Sequence, residues 1–357
     1  MIKLILFFSH HSELGMPNDY SQFEQRKRDH IQLALMPANQ SSELNSFDQF
    51  SLIHEALPDI NFNEITINSS RFNKPVETPF IVSSMTAGHS NATPINHRLI
   101  EACSQSGWAM GVGSQRRELT DKTASFEWDA LRRTFPKVRL FSNLGIAQLI
   151  NTPISAIQQL IDALQAEAII IHCNPLQEII QPEGTPDFKG CWDAIERLIN
   201  TLPIPIVIKE TGCGFSKNTL IRLNNLGVAA VDVSGLGGTH WGRIEGHRAI
   251  PDSILHHTAN TFRNWGINTL ESVKNASAIN PSFEIWGSGG VRNGLDAAKL
   301  FALGATTVGF AKPMLEAALE STDLVLNKMA IIEYELKTAM FCTGSLILSD
   351  LKEKACL

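Results

Sequence analysis

The chain has 357 residues, of which 43% are hydrophobic and 18% charged, a globular composition with enough apolar mass for one large core. Thirty Lys and Arg against 36 Asp and Glu leave a formal net charge of −6, so bulk electrostatics attract neither nucleic acid nor an anionic membrane. No apolar run approaches the roughly 18–20 residues of a membrane span. The six cysteines (Cys103, Cys173, Cys191, Cys213, Cys342 and Cys356) form no CxxC and read as reduced thiols of a cytoplasmic protein.

In chain order, residues 1–15 read as a dispensable leader, with Met16 a second candidate start. The apolar run inside this leader is too short for a signal-peptide core. Residues 16–79 are expected to form an arm that packs on, or reaches over, the main domain. The arm carries Arg26-Lys27-Arg28-Asp29-His30, which taken alone is a solvated helix face. The polar stretch 39–46 reads as a loop.

From residue 80 short apolar runs recur, and each is expected to be a strand. They are 80–85 (FIVSSM), 108–114 (WAMGVGS), 139–145 (RLFSNLG), 168–174 (AIIIHCN), 205–210 (PIVIKE), 229–235 (AAVDVSG), 283–290 (FEIWGSGG) and 306–313 (TTVGFAKP). Such continuous runs imply burial on both faces, the habit of parallel strands. Helical spacing of apolar residues marks 94–106, 153–165, 218–226 and 294–303 between them. Gly107, Gly227 and Gly304 suit helix C-termini. Eight strands alternating with helices predict an α/β fold, a (β/α)8 barrel over 80–320, with a C-terminal helical segment over 321–357. An open doubly wound sheet is the alternative, weakened because no GxGxxG follows the first strand.

Polar residues gather at the C-terminal ends of the strands, where barrel enzymes build their sites: Ser114, Asn143, His172, Asn174, Lys209, Glu210, Ser234 and Arg292. The seventh strand ends in Gly287-Ser288-Gly289-Gly290-Val291-Arg292 and the eighth in Gly309-Phe310-Ala311. Bare backbone N–H groups there suit one phosphate, although a tight strand-to-helix turn would look similar. Met85, Thr86 and Ala87 offer small groups and backbone to a flat ring, and Ser114, Asn143 and Lys209 offer polar contacts to it. A second glycine turn runs from Ser234 to Thr239. Together these suit FMN, whose single phosphate matches a single barrel phosphate site. His172, Asn174, Gln177 and Glu178 put an imidazole, two amides and a carboxylate at the fourth strand's mouth. One carboxylate is enough for Mg²⁺ shared with a diphosphate, and Glu178 fits that role. Arg116 and the arm's basic run would supply the local cationic clamp.

The segments RKRDH, MTAG, GSQR, SNLG, HxNxxQE, the fifth strand's KE, SGxGGT and GGVR occur in this order. In that order the chain resembles the type 2 isopentenyl-diphosphate isomerases, over roughly residues 24–320. MTAG stands where many relatives read MTGG. The resemblance implies interconversion of isopentenyl and dimethylallyl diphosphate, with FMN, Mg²⁺, NADPH as reductant, and a homo-oligomer. It implies substrate contacts from Arg26, Lys27, His30, Ser114, Arg116, His172, Asn174 and Gln177, and a metal contact from Glu178. Cofactor contacts would come from Met85, Thr86, Ala87, Ser114, Asn143, Lys209, Ser234, Thr239, Gly289, Gly290, Arg292 and Ala311. Gln177, Lys209 and Glu245 would assist the acid–base chemistry, Glu245 being otherwise a surface carboxylate on the loop after strand 6.

Three rival readings remain. An FMN oxidoreductase of the 2-hydroxy-acid oxidase type needs a His–Arg pair, which His240 and Arg243 keep open. An inosine-monophosphate-dehydrogenase-like reaction needs a cysteine on the loop after strand 6, and that loop has none. A non-catalytic flavin or diphosphate binder would have no use for a carboxylate beside the HxN pair.

Overall fold

The computed structural model describes residues 19–85, 92–121 and 124–356. Eight parallel strands form one ring. They are β1 (Phe80–Val82), β2 (Ala109–Gly111), β3 (Leu140–Gly145), β4 (Ala168–Cys173), β5 (Ile206–Glu210), β6 (Ala230–Asp232), β7 (Glu284–Gly287) and β8 (Thr307–Phe310). β8 returns to β1 through Val308↔Phe80, Gly309↔Ile81 and Phe310↔Val82, which closes the barrel and removes the open-sheet alternative. Several strands end short of the apolar runs that announce them. The missing residues, such as Ser84 and Met85 after β1, leave the ladder and turn into the mouth, while Ser83 N–H still donates to Phe310 O.

Alternation along the strands explains the continuous hydrophobicity. Ile81, Ala109, Phe141, Ala168, Ile170, Val207, Ala230 and Trp286 fill the barrel interior. Their neighbours, among them Val82, Leu140, Ile169, Ile171, Ile208 and Val308, belong to the shell beneath the helices. At the N-terminal end a hairpin of Ser69–Arg71 and Lys74–Val76 turns through Phe72 and Asn73, both at positive φ. The Phe72 ring lies 5.5 Å from Trp286 and 6.2 Å from Phe141. Its backbone N–H donates to Glu284, and this plug closes the end opposite the active-site mouth.

The arm runs over that mouth. It begins with helix α1 (Asp19–Leu35) and continues through short turns at Pro37–Asn39 and Ser42–Leu44. The stretch 39–46 is a loop of short turns whose first part is seated: Asn39, Gln40 and Ser41 are buried, while Ser42 and Glu43 stay exposed. Ser41 N donates to Gly238 O at 2.7 Å. The Asn45 amide donates to Gly237 O at 3.2 Å and Gly290 O at 2.9 Å. Arg243 donates to Gln40 O, Arg263 O and Asn264, and pairs with Glu43.

In the expected C-terminal helical segment a long helix spans Thr322–Cys342 and ends where the Thr343 hydroxyl binds the Ala339 and Met340 carbonyls, just before Gly344 at φ +65; a 3-10 helix follows over Leu348–Lys354. Ala355–Cys356 then pairs antiparallel with Ser51–Leu52, tying the two terminal segments together. The leader 1–15 lies outside the described residues. Among the described residues, no helix is long and apolar enough to cross a membrane, and Cys103, Cys173, Cys191, Cys213 and Cys342 are free thiols.

Arg243 is buried and donates to three carbonyl oxygens besides its ion pair, so Arg243→Met should strip the arm from its seat. The expected loss is about 2–4 kcal/mol in urea unfolding. Limited proteolysis should accelerate within residues 19–52, and a variant as stable and as protected as the parent contradicts the account.

Candidate active site

Two cavities meet at the mouth. The larger, about 540 Å³, lies over the ends of β6, β7, β8 and β1. Its floor is the pair of glycine turns. Gly289 and Gly290 have φ of +98° and +72°, where an L side chain is strained. A Cβ on Gly238 would collide with Gly290 backbone, so the two turns touch through bare main chain. Helix α4 (Lys312–Glu320) begins directly after Ala311, so its N-terminus reaches the same cavity. Met85, Lys209, Ser234, Thr239, Gly289, Gly290, Arg292 and Ala311 all line this space; Thr86 and Ala87 lie outside the described residues.

The ring-side wall is polar and held in place. Lys209 Nζ is 2.8 Å from Asp232 and 3.1 Å from Ser288 Oγ. The Ser83 and Ser84 hydroxyls are buried with no hydrogen-bond partner among the described residues. Sequence reading missed Ser83, Ser84 and Asp232. The available signal was a serine pair closing one strand and a carboxylate inside another. Arg292 is also less simple than expected. Its guanidinium is held by Asp48 at 2.6 Å and Asp296 at 2.8 Å, so its charge is committed to carboxylates.

The smaller cavity, about 110 Å³, adjoins the first and shares Lys27, His30, Ser84, Met85, Lys209, Thr211 and Trp241 with it. Arg26, Ser114, Arg116, Asn143, His172, Asn174, Gln177 and Glu178 are also in its wall. Helix α2 (Pro175–Ile180) explains the HxNxxQE spacing: it sets Asn174, Gln177 and Glu178 on one face. Asn174 Nδ2 donates to Gln177 at 3.0 Å and to Glu178 at 3.1 Å, while its Oδ1 has no partner among the described residues. Thr185 N–H anchors the other Glu178 oxygen at 2.6 Å.

The clamp is cationic and desolvated. Burial, then Arg26, pulls the Lys27 ammonium down to about 8. Burial, then the neighbouring Arg116, also lowers the Arg26 guanidinium. Cations held beside one another out of water suit a polyanion that relieves both costs. Burial, with Lys27 and Lys209 nearby, pushes His172 down to about 3, so its ring is neutral. His172 Nδ1 contacts Asn143 Oδ1 at 2.8 Å.

Glu245 sits on helix α3 (Trp241–Arg248) and is fully buried, not a surface carboxylate. It lines neither cavity and stands behind their wall. One oxygen meets His30 Nε2 at 2.8 Å and Gln177 Nε2 at 3.1 Å; the other meets Arg248 at 2.6 Å. Burial would raise its pKa, but the bonds from His30 and Arg248 outweigh this and leave it below the usual carboxylate range. The His240–Arg243 pair forms no second site. His240 caps α3 and binds Trp265 O, while Arg243 is consumed by the arm.

A closed parallel barrel with paired glycine turns at its mouth defines the class. A model of the FMN-dependent dehydrogenases matches residues 152–357. The chain belongs to the isopentenyl-diphosphate delta-isomerase family, in its FMN-dependent type. A protein of that name from Legionella pneumophila (strain Lens) is 78% identical over 96% of this chain and 100% of its own length. Another from Bdellovibrio bacteriovorus is 51% identical over 95% of this chain and 99% of its own. A solved structure of mandelate oxidase with (S)-2-phenylpropionate aligns at a TM-score of 0.64 and 18% identity, over 94% of this chain and 98% of that one. At that identity it speaks for the fold alone.

Beside the clamp, Glu118 is buried, accepts from Trp128 Nε1 at 3.0 Å, and is pushed up to about 7 chiefly by burial. Its native pKa exceeds its unfolded one, so the native state binds more protons between the two. The group therefore costs stability progressively as pH rises from about 4.5 to about 7. Glu118→Gln should remove that slope, worth on the order of 2–3 kcal/mol. Urea unfolding at pH 5, 6 and 7 should show the variant gaining on the parent as pH rises. Parallel curves refute the assignment.

Proposed function

We propose that the chain interconverts isopentenyl and dimethylallyl diphosphate, with FMN over the glycine turns and Mg²⁺ at Glu178. The observation that carries this is the junction of the two cavities: a cation-walled space for a diphosphate opens onto the phosphate-turn space through Lys27, Lys209 and Met85. The 78% identical relative supports the choice of substrate.

The residues fit both groups. A ring over β1 would satisfy the unpartnered Ser83 and Ser84 hydroxyls, and one phosphate suits the turns at 289–290 and 309–311. A hard cation shared with substrate oxygens suits Glu178, with the unpartnered Asn174 Oδ1 beside it. FMN, kept reduced by NADPH, supplies acid–base chemistry at its ring when bound. The net reaction moves a double bond, so one carbon gains a proton and another loses one.

This chain's residues then divide the work. Arg26, Lys27 and Arg116 bind the diphosphate and hold its carbon chain toward Met85 and Lys209. His172, neutral, lines the wall without adding charge. Gln177 faces the substrate space and donates to Glu245, which His30 and Arg248 hold ionised. That chain orients the Gln177 amide toward the cavity. Trp241 and the arm exclude water from the junction. Commitment of His240 and Arg243 to structural bonds weighs against the 2-hydroxy-acid oxidase reading. The reading includes a cytoplasmic homo-oligomer.

Purified protein with FMN, Mg²⁺ and NADPH should convert isopentenyl diphosphate to dimethylallyl diphosphate, followed by NMR of the allylic product. No conversion under reducing conditions removes the proposal. Glu178→Gln should shift the Mg²⁺ requirement upward and leave FMN binding intact; an unchanged Mg²⁺ dependence would take the metal from Glu178. Arg26→Ala with Lys27→Ala removes two charge-assisted contacts of roughly 1.5–3 kcal/mol each. The double variant should lose at least about a hundredfold in kcat/KM, and its residual activity should be less sensitive to salt than the parent's. If kcat/KM stays within a few-fold, the arm is no part of the active site.

A further inference from the structure

We propose that Gln115 is a positioning residue of the diphosphate cavity: it grips both main-chain groups of Asn143, so that the Asn143 amide holds His172 with its proton on Nδ1. The inference takes its ligand from the isomerase reading and nothing else.

The β2–β3 ladder runs only through Met110↔Leu140 and Gly111↔Phe141. Beyond Gly111 the chain bulges toward the mouth, and Gln115 takes over the pairing. Its N–H donates to Asn143 O at 2.9 Å, and its Oε1 accepts the Asn143 N–H at 3.2 Å. The same Oε1 accepts from Ser142 Oγ, and Nε2 donates to Leu160 O at 3.5 Å. The side-chain amide thus continues a backbone ladder. Gln115 is buried, whereas its neighbours Ser114 and Arg116 line the diphosphate cavity. One residue therefore sets the height of two cavity residues on its own strand and of Asn143 on the next.

Asn143 passes this constraint on. Its Oδ1 lies 2.8 Å from His172 Nδ1, and a carbonyl oxygen only accepts, so Nδ1 carries the hydrogen. The half-buried, desolvated ring is neutral, which leaves Nε2 as a bare lone pair. His172 accordingly offers the cavity an acceptor. It selects for a donor, such as a bound water or a protonated phosphate oxygen, and repels a bare anionic oxygen. The cations of the clamp must then take the anionic oxygens, which fixes the orientation of the diphosphate.

Gln115→Met keeps the volume and removes every side-chain bond. ¹⁵N NMR of imidazole-labelled protein, with His172 assigned from a His172→Asn spectrum, should change from an Nδ1–H pattern to a mixture of tautomers. KM for isopentenyl diphosphate should rise about tenfold or more, while FMN affinity stays within about twofold. A folded Gln115→Met protein that keeps the Nδ1–H pattern, or keeps its KM within about twofold, overturns the proposal. If that variant does not fold, Gln115→Glu decides. Buried, its carboxyl is held in the neutral form, so one oxygen keeps both accepting contacts and the O–H replaces the amide donor to Leu160 O. It should keep the tautomer and a KM within about threefold, and loss of either overturns the proposal. A changed tautomer in a chain that does not isomerise the diphosphate supports this inference and counts against the functional reading alone.

Discussion

The close approach of two glycine turns under the arm is the constraint from which the mouth is built. Gly238 and Gly290 meet main chain to main chain, with no room for a Cβ between them. The Asn45 amide bridges both turns. One contact therefore fixes the floor of the larger cavity, the separation of β6 and β7, and the place where the arm lies down. Once the arm is seated, α1 brings Arg26, Lys27 and His30 to the rim. A barrel without that seat would keep its core and lose the cationic wall of the smaller cavity.

Burial does the electrostatic work in the site. A cation in water gains little from an anion, because solvent screens the pair. Arg26 and Lys27 are half-buried side by side, so both carry a desolvation cost before any ligand arrives, and half-buried His172 stays neutral. A polyanion seated between them would relieve that cost. Desolvation also explains the division between His172, kept neutral, and Glu245, kept ionised. The first faces cations without a carboxylate contact, whereas the second receives His30, Gln177 and Arg248 directly.

The fold is shared with mandelate oxidase at 18% identity, so the barrel alone does not choose a reaction. In this chain His240 and Arg243 serve the helix cap and the arm, while the carboxylate and amides of α2 face the cavity.

By itself the sequence determined the barrel and the order of its parts. Two-sided burial writes each parallel strand as a continuous apolar run, and the polar residue that ends each run marks the mouth. HxNxxQE was legible because a single helical turn carries three of its groups. The tertiary structure alone decided which distant segments meet. Residues 39–46 look like any polar loop until Ser41 and Asn45 are seen to satisfy glycine-turn carbonyls. Arg292 looks like a free phosphate ligand until Asp48, 244 positions away, takes its guanidinium. Glu245 looks exposed because nothing local announces His30, 215 positions earlier, as its partner. Local pattern records burial and periodicity, whereas a charge or a side-chain amide reveals its role only through the partner it reaches.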